Sequence, residues 1–326
     1  MAHAKIANNY HDIFMELLDQ HYNRYDYCNS PRGLQQREKI FTNYILTNPI
    51  ERVVLSKERR CNIIFQFAEV LWYLSGDDSL RYIGYYAPRM REFSQDGKVL
   101  TGTAYGKKIF YYADNINQWQ YVVDELKKDP DSRRCVINIR DPKEILVENN
   151  VDMSCTISLQ FLLRENKLNM ITTMRSNDIY TGGISDIFSF TFFQEMLANQ
   201  LNVEVGNYYH QVGSSHLYSK NFYKVAKILE KRKEYKDYNL RFPRMPEGNN
   251  WTNIRKVLRL EKILREQYLN LCYIDNCKKE LPQYWQDVIS LFEFYAIYKQ
   301  KGVFDQTYIE DIHPILKYLV VNFYDV

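Results

Sequence analysis

The chain has 326 residues, enough for two average domains or one large α/β domain with an extension. Its 45% hydrophobic and 25% charged residues exclude a largely disordered protein. Lysine plus arginine number 43 against 40 acidic residues, and a net charge of +3 gives no footprint for unspecific nucleic-acid binding. Only 12 glycines occur, and the absence of GxGxxG and of GxxxxGK speaks against a dinucleotide or P-loop fold. No apolar run approaches the ~20 residues a membrane helix needs. The opening MAHAKIANNYHDIF has no apolar signal-peptide stretch. The cysteines are scattered at 28, 61, 135, 155, 272 and 277, without CxxC or a metal-ligand rhythm, so reduced thiols, a cytoplasmic location and no metal site are expected.

In chain order, a first helix is predicted over 8–25, then a turn-rich stretch at Asn29–Gly33 and a short strand at 41–48. Residues 62–75 read as a helix ended by Gly76, and 115–128 as another, with Ile116, Trp119, Val123 and Leu126 on one face. From Cys135 the period changes to two, through Ile137 and Ile139 and then SLQFLL and KLNMITTM. An apolar helix from Asp186 to Asn199 leads to a last strand at 203–211. After Tyr218 the composition shifts: charge is dense from Lys220 to Lys236, Pro243–Pro246 reads as a connector, and helices are predicted near 251–271, 283–300 and 306–322. The expected organisation is an α+β core over 1–222 and a helical C-terminal extension over 223–326 packed on it.

Several residues fit poorly as structure alone. Glu69 lies in IIFQFAEVLWYL, a helix apolar on nearly every side, where a carboxyl is costly and its pKa is driven up, as suits a proton-moving group. The structural alternative is a pair with an arginine at the helix rim. Arg133 and Arg134 open a strand and so point to opposite faces; they could share one anion only at an edge or subunit boundary, and solvated charge is the plainer reading. In Arg175-Ser176-Asn177-Asp178, a guanidinium beside a hydroxyl suits phosphate, although a strand-end ion pair would account for the arginine equally well. Asp186, near a helix start, reads in isolation as an N-terminal cap. Cys155, in MSCTIS, reads in isolation as a small buried hydrophobe.

Taken in order and spacing, these pieces resemble the thymidylate synthase family over about residues 30–218. The motifs are EVLWYLSGD (69–77), AYG (104–106), DPDSRR (129–134), Cys155, RSND (175–178) and His210 through Gly213 to His216-Leu217-Tyr218. The resemblance implies a mixed β-sheet core with flanking helices and methylenetetrahydrofolate as co-substrate. It also implies a pyrimidine nucleoside monophosphate as substrate and a homodimer. It places Cys155 on the nucleophile that adds to C6, Arg175 and Ser176 on phosphate ligands, and Arg133 and Arg134 on the pair given across the dimer interface. Arg32 aligns loosely with a further phosphate ligand. His216 and Tyr218 fall on the ribose 3′-hydroxyl pair, Asp178 and Tyr105 on the folate and active-site wall, and Glu69 on the glutamate that organises water and proton transfer.

The departures from the family pattern bear on which reaction occurs. Asp186 stands where thymidylate synthases have an asparagine that reads uracil. A carboxyl accepts from the cytosine amine and, when protonated, donates to N3, so cytosine is the better base. Arg91 and Ser94 replace the two tryptophans, of which the first lies against the reacting one-carbon unit, which favours water over hydride and a hydroxymethyl product. The chain thus resembles the cytidylate 5-hydroxymethylases most. Ser154-Cys155-Thr156 replaces Pro-Cys-His, and Ser214 replaces an aspartate. Ser176 and the paired arginines resemble the deoxynucleotide enzymes, whereas the length and the C-terminal extension are closer to the ribonucleotide hydroxymethylases of antibiotic pathways, so CMP is placed ahead of dCMP. Two other readings stay open: a thymidylate synthase acting on dUMP, and a non-catalytic nucleotide- or RNA-binding relative.

Overall fold

A computed structural model describes residues 4–113, 116–232, 240–266 and 271–324, with backbone only at 271 and 272. A seven-stranded mixed sheet forms from β1 (Lys5–Ala7), β2 (Tyr27–Asn29), β3 (Gln36–Leu46), β4 (Val136–Asn138), β5 (Thr156–Arg164), β6 (Lys167–Asp178) and β7 (Glu204–Tyr218). The order is β1-β3-β7-β6-β5-β4, and β2 also pairs with β3. The β1–β3 and β6–β7 pairs are parallel and the others antiparallel. This is the expected α+β class.

The helices are α1 (Tyr10–Asn23), α2 (Ile63–Ser75), α3 (Leu80–Tyr86), α4 (Tyr105–Phe110), α5 (Gln118–Lys128), α6 (Gly182–Leu201), α7 (Phe222–Lys231), α8 (Trp251–Arg265), α9 (Leu271–Lys278), α10 (Gln283–Lys301) and α11 (Pro314–Tyr324). In α6, every residue from Ile187 to Ala198 is buried, because one side packs on β6 and β7 and another on α2. α2 starts on the Asn62 side chain, which accepts the Phe65 N–H at 3.0 Å. It stops at Gly76, whose φ of 69° suits a residue without Cβ.

Helices α8, α10 and α11 back α2 with a second helical layer, which is why α2 can be apolar almost all round. Trp285 of α10 is fully buried, lies 6.3 Å from Phe192 of α6 between ring centroids, and donates its indole N–H to Asn250 at 2.9 Å. The Tyr86 hydroxyl donates to Glu261 at 2.9 Å, and Asn322 donates to the Ser56 carbonyl at 3.2 Å. One hydrophobic core runs through sheet, α2, α6 and the C-terminal helices.

Several boundaries differ from the sequence expectation. β3 begins at Gln36, five residues before the predicted strand, because its first half alternates Gln, Glu and Lys with no apolar signal. β6 ends at Asp178, as the strand-end reading of RSND expects, whereas β7 runs on past 211 to Tyr218, so the His216 motif lies in that strand. Arg133 and Arg134 precede β4 and are not part of it. α6 begins at Gly182, since the Gly182-Gly183 pair that reads as a turn is its first turn. Of the predicted 306–322 helix, Gln306–Ile309 is a 3-10 turn and the α-helix begins at Pro314. Residue 115, part of the charged run (233–236) and the end of the predicted 251–271 helix (267–270) lie outside the described residues. Among the described residues, no helix is long and apolar enough to cross a membrane and no group of three or more potential ligands is placed to hold a metal.

Candidate active site

The site forms where the C-terminal ends of β6 and β7 meet the start of β5, the first turns of α6 and the middle of α2. Cys155 immediately precedes β5 and is partly buried against the core. Arg175, at its antiparallel neighbour in β6, accounts for its surroundings. The Arg175 Nε donates to the Ser154 carbonyl and one Nη to the Met153 carbonyl, each at 2.8 Å, and that same Nη lies 3.7 Å from the Cys155 Sγ. Burial pushes the Cys155 thiol up, while the charges of Arg175 and Arg32 oppose the rise. Two nitrogens of Arg175 are thus turned to the nucleophile segment, and the exposed guanidinium keeps its other Nη free of any hydrogen bond among the described residues. That is a fork held from behind with one edge open to an anion.

Arg32 sits at an exposed tip between β2 and β3 with φ of 54°, a left-handed conformation unusual for arginine. Its charge acts on both Cys155 and His216. His216 is paired in register with Asp178, lies edge-on to Tyr218 at 4.8 Å, and is buried, with no hydrogen-bond partner for its Nδ1 among the described residues. Burial lowers its pKa, opposed by Asp178. A ring nitrogen so placed can bond a hydroxyl group. Asp178 itself accepts the N–H groups of Tyr180 and Thr181, at 3.0 and 3.3 Å, through one oxygen.

Two carboxyl groups act on each other here, Glu69 buried and Asp186 half-buried. Glu69 is 8% exposed; burial raises its pKa to about 8, helped by the charge of Asp186 and opposed by Arg89. Burial also raises Asp186 to about 7, against a hydrogen bond from the Asn177 amide at 2.7 Å and with a further push from Asp178. Asp186 lies in the second turn of α6 and is no N-terminal cap. Near neutral pH these carboxyls exchange protons readily, which ordinary surface carboxyls do not. One turn along α2 from Glu69, Tyr73 stacks on Tyr105 with ring centroids 5.1 Å apart, so Tyr105 is buried and feels both Asp186 and Cys155.

Ser154, standing where the resemblance has proline, is fully buried in an ionic cluster. Lys108 donates to Glu144, to the Ser154 hydroxyl and to the Gly102 carbonyl at 3.1 Å. Glu144 also accepts from Arg140 and from the Ser154 backbone N–H at 3.0 Å. Burial lowers Lys108 to about 8. The ion pairs hold the residue before the nucleophile by hydrogen bonds from side chain and backbone alike.

Glu69, Asp186, Cys155, Arg175, Arg32, Asp178, Tyr105, His216 and Tyr218 are thus brought together. Ser176, half-buried on β6 beside Ser214 of β7, lies on the rim. Arg133 and Arg134 are exposed near the sheet edge and join none of these contacts among the described residues. Arg91 is also exposed; the cation acting on Glu69 is Arg89. The Ser94 hydroxyl is turned to the Val99 carbonyl at 2.7 Å. Sequence reasoning missed Asn177, the Lys108–Glu144 pair and Glu38. Glu38, on β3, accepts from the Ser214 hydroxyl and so brings a carboxylate to the place where Ser214 replaces an aspartate. Its only signal was the polar alternation of residues 36–39.

A family profile for thymidylate synthase matches residues 8–264, beyond both ends of the stretch that carries the motifs. The deoxyuridylate hydroxymethyltransferase of Bacillus phage SP01 is 32% identical over 228 residues, covering 67% of this chain and 59% of that protein. The protein of the same name from Pseudomonas phage M6 is 30% identical over 197 residues, 59% of this chain and 54% of its own length. The thymidylate synthase of Vesicomyosocius okutanii subsp. Calyptogena okutanii (strain HA) is 30% identical over 184 residues, 55% and 69% of the two chains. The chain spans little more than half the length of the two phage proteins. With the profile covering most of its length, the chain belongs to the thymidylate synthase family.

Proposed function

We propose that this protein transfers a hydroxymethyl group to C5 of a cytidine monophosphate, CMP ahead of dCMP. The observation that carries the reading is the half-buried acid at Asp186, held by the Asn177 amide at 2.7 Å and raised to about 7, where the resemblance puts the residue that reads the base. A neutral carboxyl can donate to N3 of cytosine and accept from its amine at once. Cys155 adds through Sγ to C6, which makes C5 nucleophilic. Arg175 and Ser176, with Arg32, take the phosphate. His216 and Tyr218 take the ribose hydroxyl, which fits a His216 Nδ1 that has no hydrogen-bond partner among the described residues. Methylenetetrahydrofolate, when bound, supplies a one-carbon unit at the oxidation level of formaldehyde. The aromatic pair Tyr73–Tyr105 and the Asp178 carboxyl suit a flat, nitrogen-rich ring. Glu69 holds water and relays protons, so that the C5 proton leaves and water, not hydride, completes the group. No tryptophan stands at 91 or 94 to exclude that water.

The half-exposed face of β5, β6 and β7 carries Ile157, Leu162, Ile171 and Tyr209, which suits a second copy of the chain, with Arg133 and Arg134 reaching the partner's phosphate site. The extra C-terminal helices support CMP over dCMP by analogy of length alone. The names of the two phage relatives favour a second reading, the same transfer to dUMP. The test is folate-dependent release of tritium from C5-labelled CMP, dCMP and dUMP. Release from a cytosine nucleotide supports the proposal. Release from dUMP alone overturns the base assignment, and release from none overturns the enzymatic reading.

A further inference from the structure

Asp186 raises a question that its position does not answer: a neutral carboxyl has one hydroxyl and one carbonyl oxygen, and the two arrangements read different bases. Cytosine offers an acceptor at N3 and a donor at C4; uracil offers a donor at N3 and an acceptor at C4. Held against that edge, the same acid matches cytosine with its proton on one oxygen and uracil with its proton on the other. Something must choose between the oxygens.

Asn177 makes the choice possible. Its amide nitrogen donates to the Asp186 Oδ2 at 2.7 Å, the one side-chain hydrogen bond this carboxyl receives among the described residues. A protonated Oδ2 would be the poorer acceptor for that N–H, so the bond favours Oδ2 as the carbonyl oxygen and the proton on Oδ1. The amide is held firmly. Asn177 is 6% exposed, and its Oδ1 lies over Gly183, where an added Cβ would stand 2.6 Å from it. Gly183, in the first turn of α6, leaves the space that the amide fills.

The other groups facing Asp186 act on its charge as a whole. They are the carboxyls of Glu69 (α2) and Asp178 (β6), the Cys155 thiol before β5, and the phenols of Tyr10 (α1), Tyr44 (β3), Tyr73 (α2), Tyr105 (α4) and Tyr208 (β7). Asn177 acts on one oxygen. We propose that Asn177 is a specificity-determining positioning residue: its N–H on Oδ2 locks the Asp186 acid in one proton arrangement and so makes it accept one pyrimidine and reject the other. The proposal rests on the reading of Asp186 as the base-reading acid; with cytosine as the base, Oδ1 faces N3.

The test compares kcat/KM for a cytosine and a uracil nucleotide of the same sugar, with methylenetetrahydrofolate, in wild type, N177L, G183A and D186N. N177L keeps the volume and removes the donor. G183A keeps Asn177 and evicts its amide, and an alanine suits a helix first turn, so this variant remains informative if N177L folds poorly. The expected result in both is a cytosine-to-uracil ratio that moves at least about tenfold toward one, the worth of one hydrogen bond to the acid. A residue that only supported the fold would lower both substrates alike. A ratio within about twofold of wild type in both variants, while D186N moves it, overturns the lock. If wild type turns over uracil and not cytosine, the base assigned above fails separately, and the lock then predicts movement toward one from the other side.

Discussion

The substitution Glu69→Gln isolates the cost of keeping an ionisable group inside α2. Glu69 is raised from an ordinary 4.5 to about 8, first by burial and then by the charge of Asp186. Between these values the unfolded chain carries an ionised glutamate and the folded chain a neutral one. The folded state therefore binds the extra proton, and the stability it contributes is full below pH 4.5 and is lost as pH rises toward about 8. Each pH unit in that window is worth about 1.4 kcal/mol. From pH 5.5 to 7.5 the wild type should lose about 3 kcal/mol relative to E69Q, whose amide does not titrate. Urea unfolding of both proteins at the two pH values measures this, and titrating groups that do not interact with Glu69 cancel in the difference. A wild-type-minus-E69Q difference that changes by less than about 0.5 kcal/mol would refute the burial argument for Glu69.

Three further outcomes follow from the site. Cys155→Ala should abolish turnover and leave nucleotide binding measurable by calorimetry; retained turnover would contradict covalent addition. Asp186 is neutral and able to donate below about 7 and ionised above it. The ratio of CMP to UMP dissociation constants should therefore worsen for CMP by up to about tenfold from pH 6 to pH 8; taking the ratio removes the titration of the phosphate, and a flat ratio would contradict the assignment. Lys108→Met leaves Glu144 with Arg140 as its remaining cation, so chemical unfolding should register a loss of about 3 kcal/mol. Turnover should fall as the Ser154–Cys155 segment loosens; an unchanged unfolding curve would mean the pair carries no net stability.

Much of this arrangement was legible in the sequence because the signals were local. α2 announces itself by an almost wholly apolar run, and its end by Gly76. β5 and the first part of β6 show period two. Glu69 stood out as a carboxyl on a helix with no polar side, and its burial follows directly from that pattern. What escaped depended on partners far along the chain. Lys108 meets Glu144 and Ser154, and Ser214 meets Glu38, across separations that no periodicity reveals. The start of α6 was hidden because two glycines look like a turn, which in turn made Asp186 read as a cap when it lies inside the helix. Asn177 passed unnoticed between Ser176 and Asp178, since its importance comes from α6 folding back over the end of β6. The second helical layer was visible as helices but not as the cover that makes an all-apolar α2 possible.

The most direct test of the central claim is the mass of the nucleotide product formed from CMP, dCMP and dUMP with methylenetetrahydrofolate in heavy-oxygen water. The account predicts that a cytosine nucleotide gains CH2O with the heavy isotope in its new hydroxyl, because water completes the transferred group. A gain of CH2 on dUMP, with no heavy oxygen, would contradict it.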